Sequence, residues 1–184
     1  SLLLYYNIVT ATKKVSPSLE SEEVLLADTQ DEHILEALLK RAETYCYYVF
    51  DELDTEFRLN DIDRILELDP KAYKAYYYRA IIFCNYRAQK FYSMEKAVEE
   101  LKKCLEINRY VPALQLYARY VDDFDEGVSA IREAVTIEPD NAFAWKIFGD
   151  ILFNEDDFEG ALEKYLKSNE LNSDFCVLEI TSTY

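Results

Sequence analysis

Stepping along the chain by 34 residues carries Leu39 to Tyr73 and Asn108 to Ala142, and Ala142 to Phe175 is itself one such period. Inside that last period the apolar and small residues fall in two groups. Trp145, Phe148, Gly149 and Leu152 form the first, and Ala161, Tyr165 and Ser168 the second. Each group recurs at threes and fours, the spacing of one face of a helix. A period of this length holds two helices and a turn. Such a unit cannot bury its apolar face alone, so units must stack.

The rest of the chain can be read against that period. Thr29-Gln30-Asp31-Glu32 has the spacing of a capping box, and Ile34, Leu35, Leu38, Leu39, Ala42, Tyr45, Cys46 and Val49 follow it as one apolar stripe. A second helix is predicted over about 56–68, carrying Leu59, Ile62, Ile65, Leu66 and Leu68, and Asp69-Pro70 stops it because proline lacks the N–H and crowds the preceding turn. Further helices are predicted over 71–86, 94–107, 112–121, 125–137, 145–154 and 158–171. Ala97, Leu101, Cys104, Leu105 and Ile107 repeat the second-helix pattern but arrive five residues late, so the connection Arg87 to Ser93 must be long. The unit from Pro112 to Asn141 is short by a similar amount, and Glu138-Pro139 closes its second helix. A long unit beside a short one should distort the stack locally. Upstream, Ser16-Pro17 suits the start of a helix over about 17–27.

These residues resemble the tetratricopeptide repeat, whose pattern runs W-x2-L-G-x2-Y, then A-x3-F, then P. The resemblance covers Leu39 to Phe175 and is strongest in the last unit, while Arg58 falls where the family places a small residue. It implies an all-α fold, a right-handed α-solenoid of about four helix pairs. Units are expected at about 39–72, 73–111, 112–141 and 142–175 within a repeat domain spanning 31–175. Residues 1–30 are read as an irregular or partly helical segment, and 176–184 as the start of a further helix or a tail. Gly149 and Gly160 stand where helices of the family approach closely, and Gly127 replaces the usual alanine.

In tetratricopeptide proteins the first helices of successive units line a concave groove that binds partners. Carried onto this chain, the resemblance places Lys40, Glu43, Tyr47 and Phe50 there from the first unit, then Lys74, Tyr77, Ile81, Cys84 and Asn85. Phe143, Lys146, Asp150, Phe153 and Asn154 come from the last unit, and the register of the short unit assigns none. The implied partner is a protein, captured as a peptide or helix of apolar or basic character. One branch of the family binds acidic chaperone C-termini through a K-x3-R helix, and Lys74-Ala75-Tyr76-Tyr77-Tyr78-Arg79 looks like it. Here Tyr78 holds the clamp arginine's position, Arg79 is displaced by about 100° around the helix, and Thr44 replaces an asparagine. The co-chaperone reading is therefore an alternative, as is a regulatory subunit of an enzyme. The leading reading is a non-catalytic scaffold or adaptor in a larger complex.

Composition narrows the classes further. With 36 acidic against 20 basic side chains, the net charge of −16 repels nucleic-acid phosphates and anionic lipid and favours cationic partners. No apolar run reaches the roughly 18 to 20 residues of a membrane span, and Ser1 to Thr10 lacks the charged leader and cleavage site of a signal peptide. The chain starts without an initiator methionine, as expected of a fragment or a processed product. Four cysteines, at 46, 84, 104 and 176, form no C-x-x-C pair and read as reduced thiols in a cytoplasmic or nuclear protein.

Little of the usual catalytic equipment is in the sequence. One histidine, His33, excludes a His-rich metal site and weakens any hydrolase triad, and three glycines form no phosphate-cradling loop. The acidic runs Asp122-Asp123-Asp125-Glu126 and Glu155-Asp156-Asp157-Glu159 lack the spacing of a calcium loop and read as helix caps. No cofactor or metal is expected. Sixteen tyrosines include Tyr45-Cys46-Tyr47-Tyr48 and Tyr76-Tyr77-Tyr78, and three in a row must point three ways, so at least one in each cluster should face solvent or a partner.

Overall fold

The computed structural model describes residues 29–45 and 52–172 of the protein. Among those residues eight helices follow one another, with no strand. They pair as α1 (Thr29–Tyr45) with α2 (Glu52–Leu68), α3 (Tyr73–Cys84) with α4 (Met94–Ile107), α5 (Val111–Tyr120) with α6 (Phe124–Ile137), and α7 (Ala142–Asn154) with α8 (Phe158–Leu171). Each pair packs on the next in chain order, and the first helices also meet, α1 against α3 and α5 against α7. The molecule is an α-solenoid. The expected helix over 17–27, the apolar stripe and the tyrosines just beyond Tyr45, and the segment 176–184 lie outside the described residues.

Small residues set how closely the helices approach. Ala75, Ala80, Ala97, Ala113, Ala134, Ala144 and Ala161 are all fully buried, and Ile82, Leu101, Leu114, Ile131 and Ile147 fill the space between them. At Gly149 a Cβ would collide with the ring of Tyr165, so only glycine lets α7 close on α8. Ser168, also fully buried, donates its hydroxyl to the Ala142 carbonyl at 2.7 Å and ties the same pair together. Gly127 plays the related part in the short unit, where a Cβ would lie 3.1 Å from the Ala118 carbonyl oxygen. Gly160 departs from its expected role. Its nearest neighbour is the Asp157 carboxylate that caps its own helix, not another helix.

The acidic runs read as caps do cap helices, through Asp123 at α6 and Asp157 at α8. Asp123, Asn141 and Asp157 accept from the N–H groups of Glu126, Ala144 and Gly160, and Ser93 accepts from Lys96. Each satisfies a donor that the first turn leaves open. Asp156 takes a left-handed φ of 62° at the end of α7. There the Asp157 and Asp156 N–H groups donate to Leu152 and Phe153 carbonyls at 3.0 and 3.1 Å, the paired bonds of a Schellman turn.

Several boundaries move. The helix predicted over 71–86 runs only from Tyr73 to Cys84, because Asp69 takes the Lys71 N–H in a turn and Asn85 has extended backbone. The helix predicted from 56 starts at Glu52, and that predicted from 145 starts at Ala142, behind the Asn141 cap. Leu39, expected at the start of a unit, stands inside α1. The long connection is real. It folds over buried Ala88 and returns through a Ser93 N–H bond to the Phe83 carbonyl at 3.0 Å.

The first pair is held partly by charge. Arg41 of α1 bridges to Asp61 of α2, whose carboxyl is pushed up by burial against the pull of that guanidinium. Arg58, only 8% exposed, pairs with Asp54 on its own helix, so a bulky charged residue fills the place of the expected small one.

Gly149→Ala should lower stability by about 2 kcal/mol, the usual size of overpacking in a tight core, because its methyl would press on the buried Tyr165 ring. Gly160→Ala, which only crowds a cap, should cost about 1 kcal/mol. Urea midpoints of the two variants test the order, and equal midpoints would contradict it.

Candidate functional site: the groove of the first helices

Helices α3, α5 and α7 present parallel stripes to one open groove of about 590 Å³. Tyr77, Ile81 and Cys84 come from α3, with Asn85 and Tyr86 just beyond it. Pro112, Gln115, Leu116, Arg119 and Tyr120 come from α5, and Phe143 and Ile147 from α7. Every stripe advances by three or four residues, so each is one face of its helix. A second hollow of about 420 Å³ continues past Arg119 and Tyr120 to Asp150, Ile151, Phe153, Asn154 and Tyr165. The two share Arg119 and Tyr120 and form one run along the inner wall.

Of the residues expected in the groove, Tyr77, Ile81, Cys84, Asn85 and Phe143 gather in the larger hollow, and Asp150, Phe153 and Asn154 in the smaller. Lys40 and Glu43 pair with each other at 3.3 Å near the end of α1, away from both. Lys74 stands 6.0 Å from the Tyr110 ring centroid, and Lys146 is bonded to Asp150 at 3.0 Å. The expected lysines therefore line neither hollow. Tyr47 and Phe50 lie outside the described residues.

The tyrosine run resolves into three different jobs. Tyr77 and Tyr78 are both buried, and Tyr77 meets Tyr110 edge to face at 5.2 Å. Tyr76 is half-buried and donates to the Pro70 carbonyl at 3.1 Å. Trp145 does the same to the Pro139 carbonyl at 2.8 Å, so the second and last units carry an aromatic at the matching place. So the most open member of the run is engaged with its own chain. The chaperone-tail clamp is not assembled either. Arg79 bonds Asp63 at 2.8 Å and Glu100 at 2.7 Å, and it is absent from the groove lining.

The short unit supplies the middle of the wall. Pro112, Gln115, Leu116, Arg119 and Tyr120 are spaced by three and four, a stripe visible once Pro112 is placed in the first helical turn. The signal was present. Its register was hidden because this unit begins one residue earlier than the proline suggests.

Burial governs the thiol chemistry near this wall. The Cys84 thiol is pushed up from 9.0 to about 11 by burial, against the Arg119 guanidinium, and Cys104 to about 12, against a backbone bond from Tyr77. Among the described residues no cluster of His, Cys, Asp or Glu is arranged to hold a metal, and no helix is long and apolar enough to cross a membrane.

This arrangement is the tetratricopeptide fold. Solved structures with the same architecture include PilF of Pseudomonas aeruginosa, with a TM-score of 0.68 and 21% identity over 83% of this chain and 68% of that one. TTC0263 of Thermus thermophilus matches with a TM-score of 0.60 and 17% identity, over 81% of this chain and 80% of that one. YrrB, described as a tetratricopeptide protein with an unusual peptide-binding site, matches with a TM-score of 0.61 and 19% identity, over 80% and 75%. No protein-family model and no curated protein matches the sequence.

A thiol whose folded value is raised favours folding below its unfolded value of 9.0 and loses that contribution as pH climbs towards about 12. Cys104 should accordingly resist alkylation in the folded protein at neutral pH and react once urea unfolds it. Peptide mapping after timed alkylation reads this, and labelling of folded Cys104 at a free-thiol rate would contradict it.

Proposed function

We propose that the protein is a non-catalytic interaction scaffold or adaptor, and that it captures an apolar stretch of a protein partner along the groove of α3, α5 and α7. The convergence of three first-helix stripes on one open, aromatic and aliphatic groove carries this reading. Such a groove buries anchor side chains without any reacting group. The acidic surroundings, from a chain of net charge −16, favour basic residues flanking the captured stretch. A partner of this kind belongs to an intracellular complex. YrrB, a protein of this fold with an unusual peptide-binding site, supports the same use of the fold.

Phe143 and Tyr86 are 41% and 70% exposed and line the groove, so replacing them leaves the core intact. Partners recovered with the full chain by affinity purification should be lost with a Phe143→Ala, Tyr86→Ala double variant, each anchor being worth about 2 kcal/mol. Ile107→Ala, at the exposed end of α4, should retain them. Recovery that follows Ile107 instead would end the proposal.

A further inference from the structure

The larger hollow of the groove differs in charge from the molecule around it. Its lining holds one cation, Arg119, and no carboxylate, in a chain where acidic residues outnumber basic ones by 36 to 20. Arg119 is exposed in the last turn of α5, its guanidinium 5.7 Å from the Tyr120 ring centroid, and no ion pair to it occurs among the described residues. Arginines elsewhere with a carboxylate on hand are engaged, as Arg79 with Asp63 and Arg109 with Glu133 show.

One turn earlier on the same face, Gln115 is 8% exposed and lines the groove. Its Nε2 is buried without a hydrogen-bond acceptor. An unmade bond of this kind costs on the order of 1–3 kcal/mol. Turning Nε2 into the groove breaks no hydrogen bond of that donor and places it where a main-chain carbonyl can accept.

From these two side chains we infer the chemistry of the captured segment: an extended apolar stretch carrying one internal aspartate or glutamate. Its carboxylate pairs with Arg119 and a carbonyl about one helical turn away accepts from Gln115. This rests on the groove being the capture site. The carboxylate belongs to a side chain, not a chain end, because the hollow does not close at Arg119 but runs on to Phe153 and Asn154. The surrounding acidity does not forbid it. Charges beyond a Debye length of about 8 Å are largely screened, whereas a contact pair inside the groove is not.

The test is to pan a library of random peptides, displayed within a loop so that no free terminus is presented, on the wild-type chain and on Arg119→Glu. Wild type should enrich an acidic residue at a fixed spacing from an aromatic or long aliphatic one. Arg119→Glu should keep the anchor and exchange the acid for lysine or arginine. A selected sequence, made as an acetylated and amidated peptide, should bind Arg119→Glu at least about tenfold more weakly and regain affinity when its acid becomes lysine. Gln115→Leu should weaken it about fivefold without altering the preference for acid. Apolar peptides with no acidic preference would overturn this inference and leave groove capture standing. Recovery of no peptide from this library but of some from a second library displayed with free C-termini would overturn the internal placement, and recovery of none from either would overturn both.

Discussion

A helix hairpin with one apolar face leaves part of that face bare until another hairpin covers it, and in this protein the covering depends on side chains small enough to let axes approach. Ala75, Ala97, Ala113, Ala144 and Ala161 are buried completely at these crossings, and Gly149 goes further by admitting the Tyr165 ring where any Cβ would collide. The larger residues Ile82, Leu101, Leu114, Ile131 and Ile147 interlock around them. Because the first helices lie side by side as a consequence, their free faces merge into one wall. The groove is a by-product of the stacking rule.

That rule explains which parts of the fold were legible. The helices expected at about 94–107 and at 158–171 lie at Met94–Ile107 and Phe158–Leu171, since a capping Ser93 or Asp157 opens each and the alanine-led apolar pattern continues to the end. The apolar spacing overruns α3 at both ends because turn hydrogen bonds at Asp69 and Asn85 shorten the helix, and hydropathy does not encode them. The first pair was hardest to phase. Its interface uses Arg41, Asp61 and a buried Arg58, so charge stands where an apolar period would have marked the register.

The candidate site was half legible for a related reason. Ile81, Cys84, Asn85 and Phe143 fall where the repeat spacing places them, whereas Lys74 and Lys146 satisfy other groups and leave the groove to Arg119. Arg119 and Gln115 belong to the short unit, in which the spacing of the neighbouring units cannot be carried across. The unit is short because α5 runs for 10 residues against 13 in α7, the turns that follow being of equal length, and this shifts its phase. The residues that distinguish this groove from a generic one thus sit where the repeat is least regular.

Hydrogen–deuterium exchange on the protein, alone and saturated with a bound partner segment, examines the inner wall most directly. Slowed exchange should appear in α3, α5 and α7, above all in their groove-facing turns around Ile81, Leu116 and Ile147, with α4, α6 and α8 little changed. Slowing concentrated in α4, α6 and α8 would place the binding surface on the opposite side of the stack and contradict the reading given to the groove.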